Sequence, residues 1–477
     1  MVKRDMICPA RIRSVTRGLV GALLLAGGVS GGAMDAAAGG GAAGDLVFPP
    51  GADPRFHWDD LAALADHDLS GQTITILSPW TGPDKALVES VIAYFETATG
   101  ARVLHGGSDS FEQQILIDAE AGSPPDIAVF PQPGLVADLA AKGHLRPMPA
   151  DTADWLSAHY AAGDSWAGLA RHAGPDGVPR LYAFPYKAEL KSLVWYVPEN
   201  FAEAGLSLPR SQEDLLALSD HLVRLGETPW CIGLGSGGAT GWPATDWVEE
   251  FMLRLYPPQV YDAWVSHAIP FDDPRVIAAI EAFGAFVRTP GYVAGGPAAV
   301  AATDFRDSPA GLFTLPPRCW MHRQASFIPT FFPPGTQIGR DVDFFYFPAY
   351  ADRDLGQPVL GQPVLGSGAF WARMSDAPAA AVFLSFLRSP LAHEIWMAQS
   401  GFLTPHRGVN PDLYGDPTLR KMGAILLGAS LFRFDGSDLM PGAIGAGAFW
   451  TGMLDYVAGA PAAQVAAQIQ KTWDSLD

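Results

Sequence analysis

An α/β fold with more than one lobe is what this 477-residue sequence predicts, on three observations. The N-terminal third of the folded chain alternates strand-like and helix-like segments as βαβαβ, the order of a mostly parallel sheet covered by helices. The length is too great for one ordinary core and suggests two or three lobes. At 48% hydrophobic and 17% charged residues the chain can fill large cores, which excludes disordered, collagen-like and coiled-coil proteins.

The opening residues do not belong to that fold. Lys3, Arg4, Arg11, Arg13 and Arg17 precede GLVGALLLAGGVSGGAM and then DAAAGGGAAG. These read as the basic, apolar and small-residue regions of a secretory signal over residues 1–38, with a signal anchor as the alternative. The apolar part is too short to span a bilayer. Cleavage near residue 38 removes five basic and two acidic residues, taking the formal charge from -19 to about -22. Such an acidic surface argues against nucleic acid as a partner. An exported, periplasmic protein is expected, and Cys8 leaves with the signal. Cys231 and Cys319 remain, either as a disulfide or as two buried thiols; no Cys or His stands at zinc-ligand spacing beside them.

The elements follow in order. Gln72 to Trp80 is an apolar strand running into a turn. The next segment puts Leu87, Val88, Val91, Ile92 and Phe95 on one helical face before Gly100 stops it. ARVLH, FEQQILIDAEA and DIAVF continue the alternation. In such sheets ligands sit at the loops leaving the carboxyl ends of strands, so Trp80, Asp109 and Gln132 point toward one crevice. No Gly-rich phosphate fingerprint follows these strands, so no nucleotide cofactor is expected. A second unit begins near residue 181: Leu190 to Tyr196 alternates as a strand, and Ser211 to Asp214 marks the start of a helix with Leu215, Leu218, Leu222 and Leu225 on one face. Further helices are expected over 243–255, 274–288, 377–389 and 461–475. A tandem LGQPV within Leu355 to Gly366 reads as a loop before a strand.

Several blocks then carry a resemblance: SPWTGPDKALVESVIAYFETATGARV, AGSPPDIAVFPQPG, AAKGHLRPM, YAFPYKAELKSLVWY and DLMPGAIGAGAFW. In this order they resemble the sugar-binding receptors of ABC importers, the group that contains maltose-binding protein. GETPWCIGLGSGGATGWPATDWVEEFMLR and CWMHRQASFIPTFF are similar to the α-glucoside-binding receptors within it. The resemblance implies a bilobed periplasmic-binding-protein fold with several chain crossovers, lobe one over 72–183 plus 356–430 and lobe two over 190–350 plus 436–477. It implies a monomer that binds a small oligosaccharide, closes about a hinge and delivers the sugar to a membrane permease, with no catalysis, cofactor or metal.

A sugar has apolar C-H faces that pack on aromatic rings and hydroxyls that are costly to leave unpaired, so its site needs aromatics beside carboxylates, amides and Arg. By the resemblance, Trp450 matches a stacking Trp and Glu189 an acid that accepts hydroxyls; the alternatives are a core Trp and an acid paired with Lys187 or Lys191. Trp80 and Asp84 occupy the loop after the first strand, where Asp84 could instead cap the helix. Phe130 falls at an aromatic position or simply ends its strand, and Gln132 lies just beyond. GWPATDW offers Trp242, Asp246 and Trp247, one of the two Trp being core. CWMHRQASF offers Trp320, a structural His322, Arg323 and Gln324, with Arg323 favoured as a hydroxyl donor. Ser326 and Thr451 stand where maltose-binding protein has aromatics, which favours a di- or trisaccharide over a long maltodextrin. A secreted glycosidase and a polyamine receptor are the rival classes.

Overall fold

A computed structural model describes residues 46–352, 364–428 and 432–476; the expected signal over 1–38 and most of the LGQPV tandem lie outside the described residues. Ile74 and Ile76 turn inward from β1 (Thr73–Ser78). Val88, Val91, Ile92 and Phe95 seal the helix α1 (Gly82–Thr99) onto the sheet, and Gly100, at φ 72°, ends it in the left-handed conformation that glycine adopts without a Cβ penalty. β2 (Arg102–Gly107), α2 (Phe111–Glu120) and β3 (Ile127–Phe130) complete the expected βαβαβ run. β1 pairs in parallel with both β2 and β3, and β3 is buried on every residue, as befits a strand covered on both faces.

The sheet is mixed rather than mostly parallel. β8 (Val364–Arg373) lies antiparallel to β3 and to β4 (Ala183–Leu190), and parallel to β9 (Phe432–Phe434). A second sheet is antiparallel: β5 (Leu193–Tyr196) sits between β6 (Met321–Arg323) and β7 (Asp343–Tyr346). The strand expected over Leu190 to Tyr196 is therefore broken at Lys191 and Ser192, where the chain leaves the first sheet for the second.

Among the helices of the second half are α3 (Gln212–Arg224), α4 (Trp242–Leu255), α5 (Pro274–Val287), α6 (Trp450–Ala458) and α7 (Ala462–Asp474). The Ser211 hydroxyl accepts from the Asp214 amide at 3.1 Å, the cap that the sequence signalled. One hydrophobic core gathers residues between Phe56 and Ala188 and again between Ala369 and Phe434. A second gathers residues between Val194 and Leu365 and again between Met440 and Trp473. A smaller third cluster includes Trp195, Phe327 and the Cys231–Cys319 pair, which form a disulfide with Cα atoms 5.3 Å apart. No helix among the described residues is long and apolar enough to cross a membrane.

Candidate ligand-binding cleft

The carboxyl ends of β1, β2 and β3 open on one cleft of about 940 Å³, counting its open mouth. Trp80 follows β1, Asp109 follows β2 and Gln132 follows β3, and all three line it. Trp242, at the start of α4, Phe305, Arg306 and Phe327 line it from residues of the second half, and Trp450 reaches it from the first turn of α6. Lys187 and Glu189 of β4, Ser367 of β8, and Asp435 and Asp438 beyond β9 line it where the chain passes between the cores.

Rings surround polar atoms here. Trp242 meets Phe305 edge-on at 5.0 Å, and Trp80 meets Trp396 edge-on at 5.0 Å. Among them Asp84 Oδ1, Gln132 Oε1 and Trp450 Nε1 are buried with no hydrogen-bond partner among the described residues, as is Arg306 Nε beside Phe305. The first two are acceptors and the third is a donor. Gln132 is oriented by its own amide, which donates to Glu112 Oε1 at 2.9 Å. Asp84 makes no cap bond to α1; burial pushes its carboxyl up to about 6, with the Lys187 ammonium opposing the rise. Glu189 is both ion-paired and in the cleft: Oε1 lies 3.1 Å from Lys187 Nζ, and Oε2 accepts from Ser367 Oγ at 2.9 Å.

Below the cleft lies a buried charge cluster. Lys191 Nζ is 2.8 Å from Asp246 Oδ1 and also contacts Asp435. Asp435 in turn accepts from Ser437 Oγ at 2.8 Å, and Glu249 accepts from the Ser437 amide at 2.9 Å. Carboxylate oxygens of Asp246, Glu249 and Asp435 lie within 4.8 Å of one another, an arrangement that could hold a metal ion. Lys191 already supplies a cation there. Burial pushes Asp246 up to about 7 and Glu249 and Asp438 well above the usual carboxylate range; at Asp435 burial also pushes up, but the Lys191 charge and the hydrogen bonds of Glu249, Lys191 and Ser437 together outweigh it and hold that group down.

Asp246, Trp320 and Arg323 do not line the cleft. The Asp246 carboxylate is taken by Lys191 beneath it. Trp320 packs beside Phe201, and its indole N–H donates to Glu227 at 3.2 Å. Arg323 is held by the Asp246 carbonyl at 2.8 Å and by Glu250 at 3.1 Å, over the core ring of Trp247. His322 bonds the Cys231 carbonyl, Gln324 accepts from the Ala325 amide, and Phe130 is the buried end of β3. The cleft's cations are instead Lys187 and Arg306, with Lys191 at its floor. Glu112, Asp435 and Asp438 are acids that sequence reasoning missed; for the last two the spacing in RFDGSD was a signal, since Asp435 accepts from the Asp438 amide at 3.2 Å.

Two cores with a cleft between them, lined by aromatic rings and unpaired buried polar atoms and fed by strand carboxyl ends, describe a receptor for a small polar solute. Residues 78–305 match the model of the bacterial extracellular solute-binding protein family. The chain belongs to that family, as its relatives also show. It is 58% identical over 91% of its length to the alpha-glucosides-binding periplasmic protein AglE of Rhizobium meliloti, covering 94% of that protein. It is 40% identical over 85% of its length to the osmoprotective compounds-binding protein GgtB of Synechocystis sp., covering 93% of it. Among solved structures, the bacterial solute receptor AcbH superposes with a TM-score of 0.72 at 19% identity, over 85% of this chain and all of that one, and so shares the bilobed fold. The chain is a binding protein rather than an enzyme.

Proposed function

We propose that this chain is the periplasmic receptor of an ABC importer for small α-glucosides, bound in the cleft and handed to a membrane permease after hinge closure. The observation that carries it is the trio of buried unpaired atoms, Asp84 Oδ1, Gln132 Oε1 and Trp450 Nε1, set among aromatic rings. A glucoside supplies hydroxyl donors for the first two, an oxygen acceptor for the third and C-H faces for the rings. The 58% identity to an α-glucoside-binding protein supports the ligand class. Lobe one is assigned to 72–183 plus 356–430 and lobe two to 190–350 plus 436–477, a division supported by the two sets of buried residues. The receptor acts as a monomer after cleavage of a signal over 1–38. Calorimetric titration of the mature protein with maltose, sucrose and trehalose tests the reading: saturable binding of at least one is expected, and no binding of any would sink it.

A further inference from the structure

Lys187 is an unusual residue to find inside a sheet. It sits on β4, a strand otherwise almost wholly apolar where it is buried, with its side chain 1% exposed at the cleft wall. Its ammonium faces three aromatic rings, at 5.0 Å from the centroid of Trp396, 5.7 Å from Phe327 and 5.8 Å from Trp80. Such faces attract a cation but accept no strong hydrogen bond. A lysine has three N–H donors and no acceptor. Its charge is paired with Glu189, whose Oε1 lies 3.1 Å away.

Burying an ammonium is costly unless its donors are used. The rings hold the charge in place, Glu189 fixes its position, and Asp84, whose Oδ1 is unpaired, lines the same cleft. We propose that Lys187 is the specificity-determining donor of the cleft: it gives a charge-assisted hydrogen bond to one ligand oxygen, while Glu189 beside it accepts from the neighbouring hydroxyl. The pair reads one vicinal diol of the sugar, and the fixed positive charge turns away solutes that present a cation at that point. This role rests on the α-glucoside reading above. It replaces Arg323, which the fold removes from the cleft.

The test titrates wild type and Lys187→Gln with maltose, sucrose and trehalose, and then with each monodeoxy analogue of the disaccharide bound most tightly. Wild type should lose about tenfold or more in affinity on removal of one particular hydroxyl, the scale of a charge-assisted bond. Lys187→Gln should bind the parent correspondingly more weakly and be almost indifferent to that same deoxygenation, a coupling that a purely structural lysine does not produce. Parent affinity within twofold of wild type, or an unchanged penalty for every deoxygenation, would overturn the assignment while leaving the receptor reading intact. Wild type that binds none of the three sugars removes both. If Lys187→Gln does not fold, Lys187→Arg keeps a cation over the rings but displaces the donor, and a deoxy profile identical to wild type overturns the proposal equally.

Discussion

Trp450 is 3% exposed, yet its indole N–H has no acceptor among the described residues. Its ring and its donor can therefore be separated by substitution. Trp450→Phe keeps an aromatic face and loses about 1 kcal/mol of hydrogen bonding, so sugar affinity should fall roughly fivefold. Trp450→Ala should weaken binding much further and lower the melting temperature as well, because a buried ring leaves a cavity. Equal affinities for the two variants in calorimetry would mean that the ring does not stack on the sugar. Asp84 allows a pH test in the ligand-free protein. Its folded pKa of about 6 lies above the ordinary 3.8, so between those values the folded state binds more protons than the unfolded one. Stability contributed by the protonated group is thus lost as pH rises from about 4 to about 6, amounting to about 3 kcal/mol. Asp84→Asn should gain stability relative to wild type across that window and hold the gain above it; a difference in melting temperature that stays flat from pH 4 to 7 would refute the shift. Asp84, Gln132 and Trp450 were legible because loops leaving parallel strands, or a family block, point to them. Lys187 was not, since a lysine between two apolar neighbours in a strand gives no sign that rings from distant segments enclose it.

At the level of elements, apolar spacing and caps located several helices, although Leu225, expected on the apolar face of α3, lies just past its end and is 57% exposed. Helices expected at 243–255 and 274–288 fold as Trp242–Leu255 and Pro274–Val287, and only the stretch over 377–389 ends early, at Phe386, before Pro390 starts another helix. Sheet composition was less legible, because strand direction across β8 depends on a return from residues far away in sequence. The start of α4 shows how an element fixes the site. Gly241 precedes it with φ at 118°, and a Cβ there would lie 2.4 Å from the Trp450 carbonyl oxygen. Gly241→Ala meets both backbone strain and a collision with main chain, which cannot swing away as a side chain could. It should lower the melting temperature and shift Trp450, weakening sugar binding. Ser211→Ala is the matched control: the loss of its cap costs about 1 kcal/mol, and binding should not change. If Gly241→Ala lost stability alone, as the control does, the start of α4 would not position Trp450.

Across the whole molecule, the two sides of the cleft meet at its mouth. Arg306 Nη2 lies 2.6 Å from Asp109 Oδ1 and 3.1 Å from Thr81 Oγ1, joining a residue of the second half to loops after β2 and β1. The Gly238 amide donates to the Asp109 carbonyl at 3.0 Å, and the Gln113 amide donates back to the Gly238 carbonyl at 3.2 Å. Each of these bonds joins residues more than 100 apart in sequence, so only Asp109, on a loop leaving a strand, is legible from the sequence. They bridge the two sides of the cleft, and a bridge of this kind slows opening more than it aids encounter. Arg306 is 20% exposed on its side chain and Asp109 42%, so the ion pair contributes at most about 1 kcal/mol and weakens with salt. Arg306→Ala should therefore raise the sugar off-rate by up to about fivefold, leave the on-rate nearly unchanged, and increase the radius of gyration of the ligand-free protein in solution scattering. Asp109→Ala should do the same while keeping the backbone bond to Gly238, and the double variant should be no worse than either single one. Fully additive losses in that cycle, or an off-rate of Arg306→Ala equal to wild type at low salt, would mean that Arg306 and Asp109 do not hold the cleft closed as a pair.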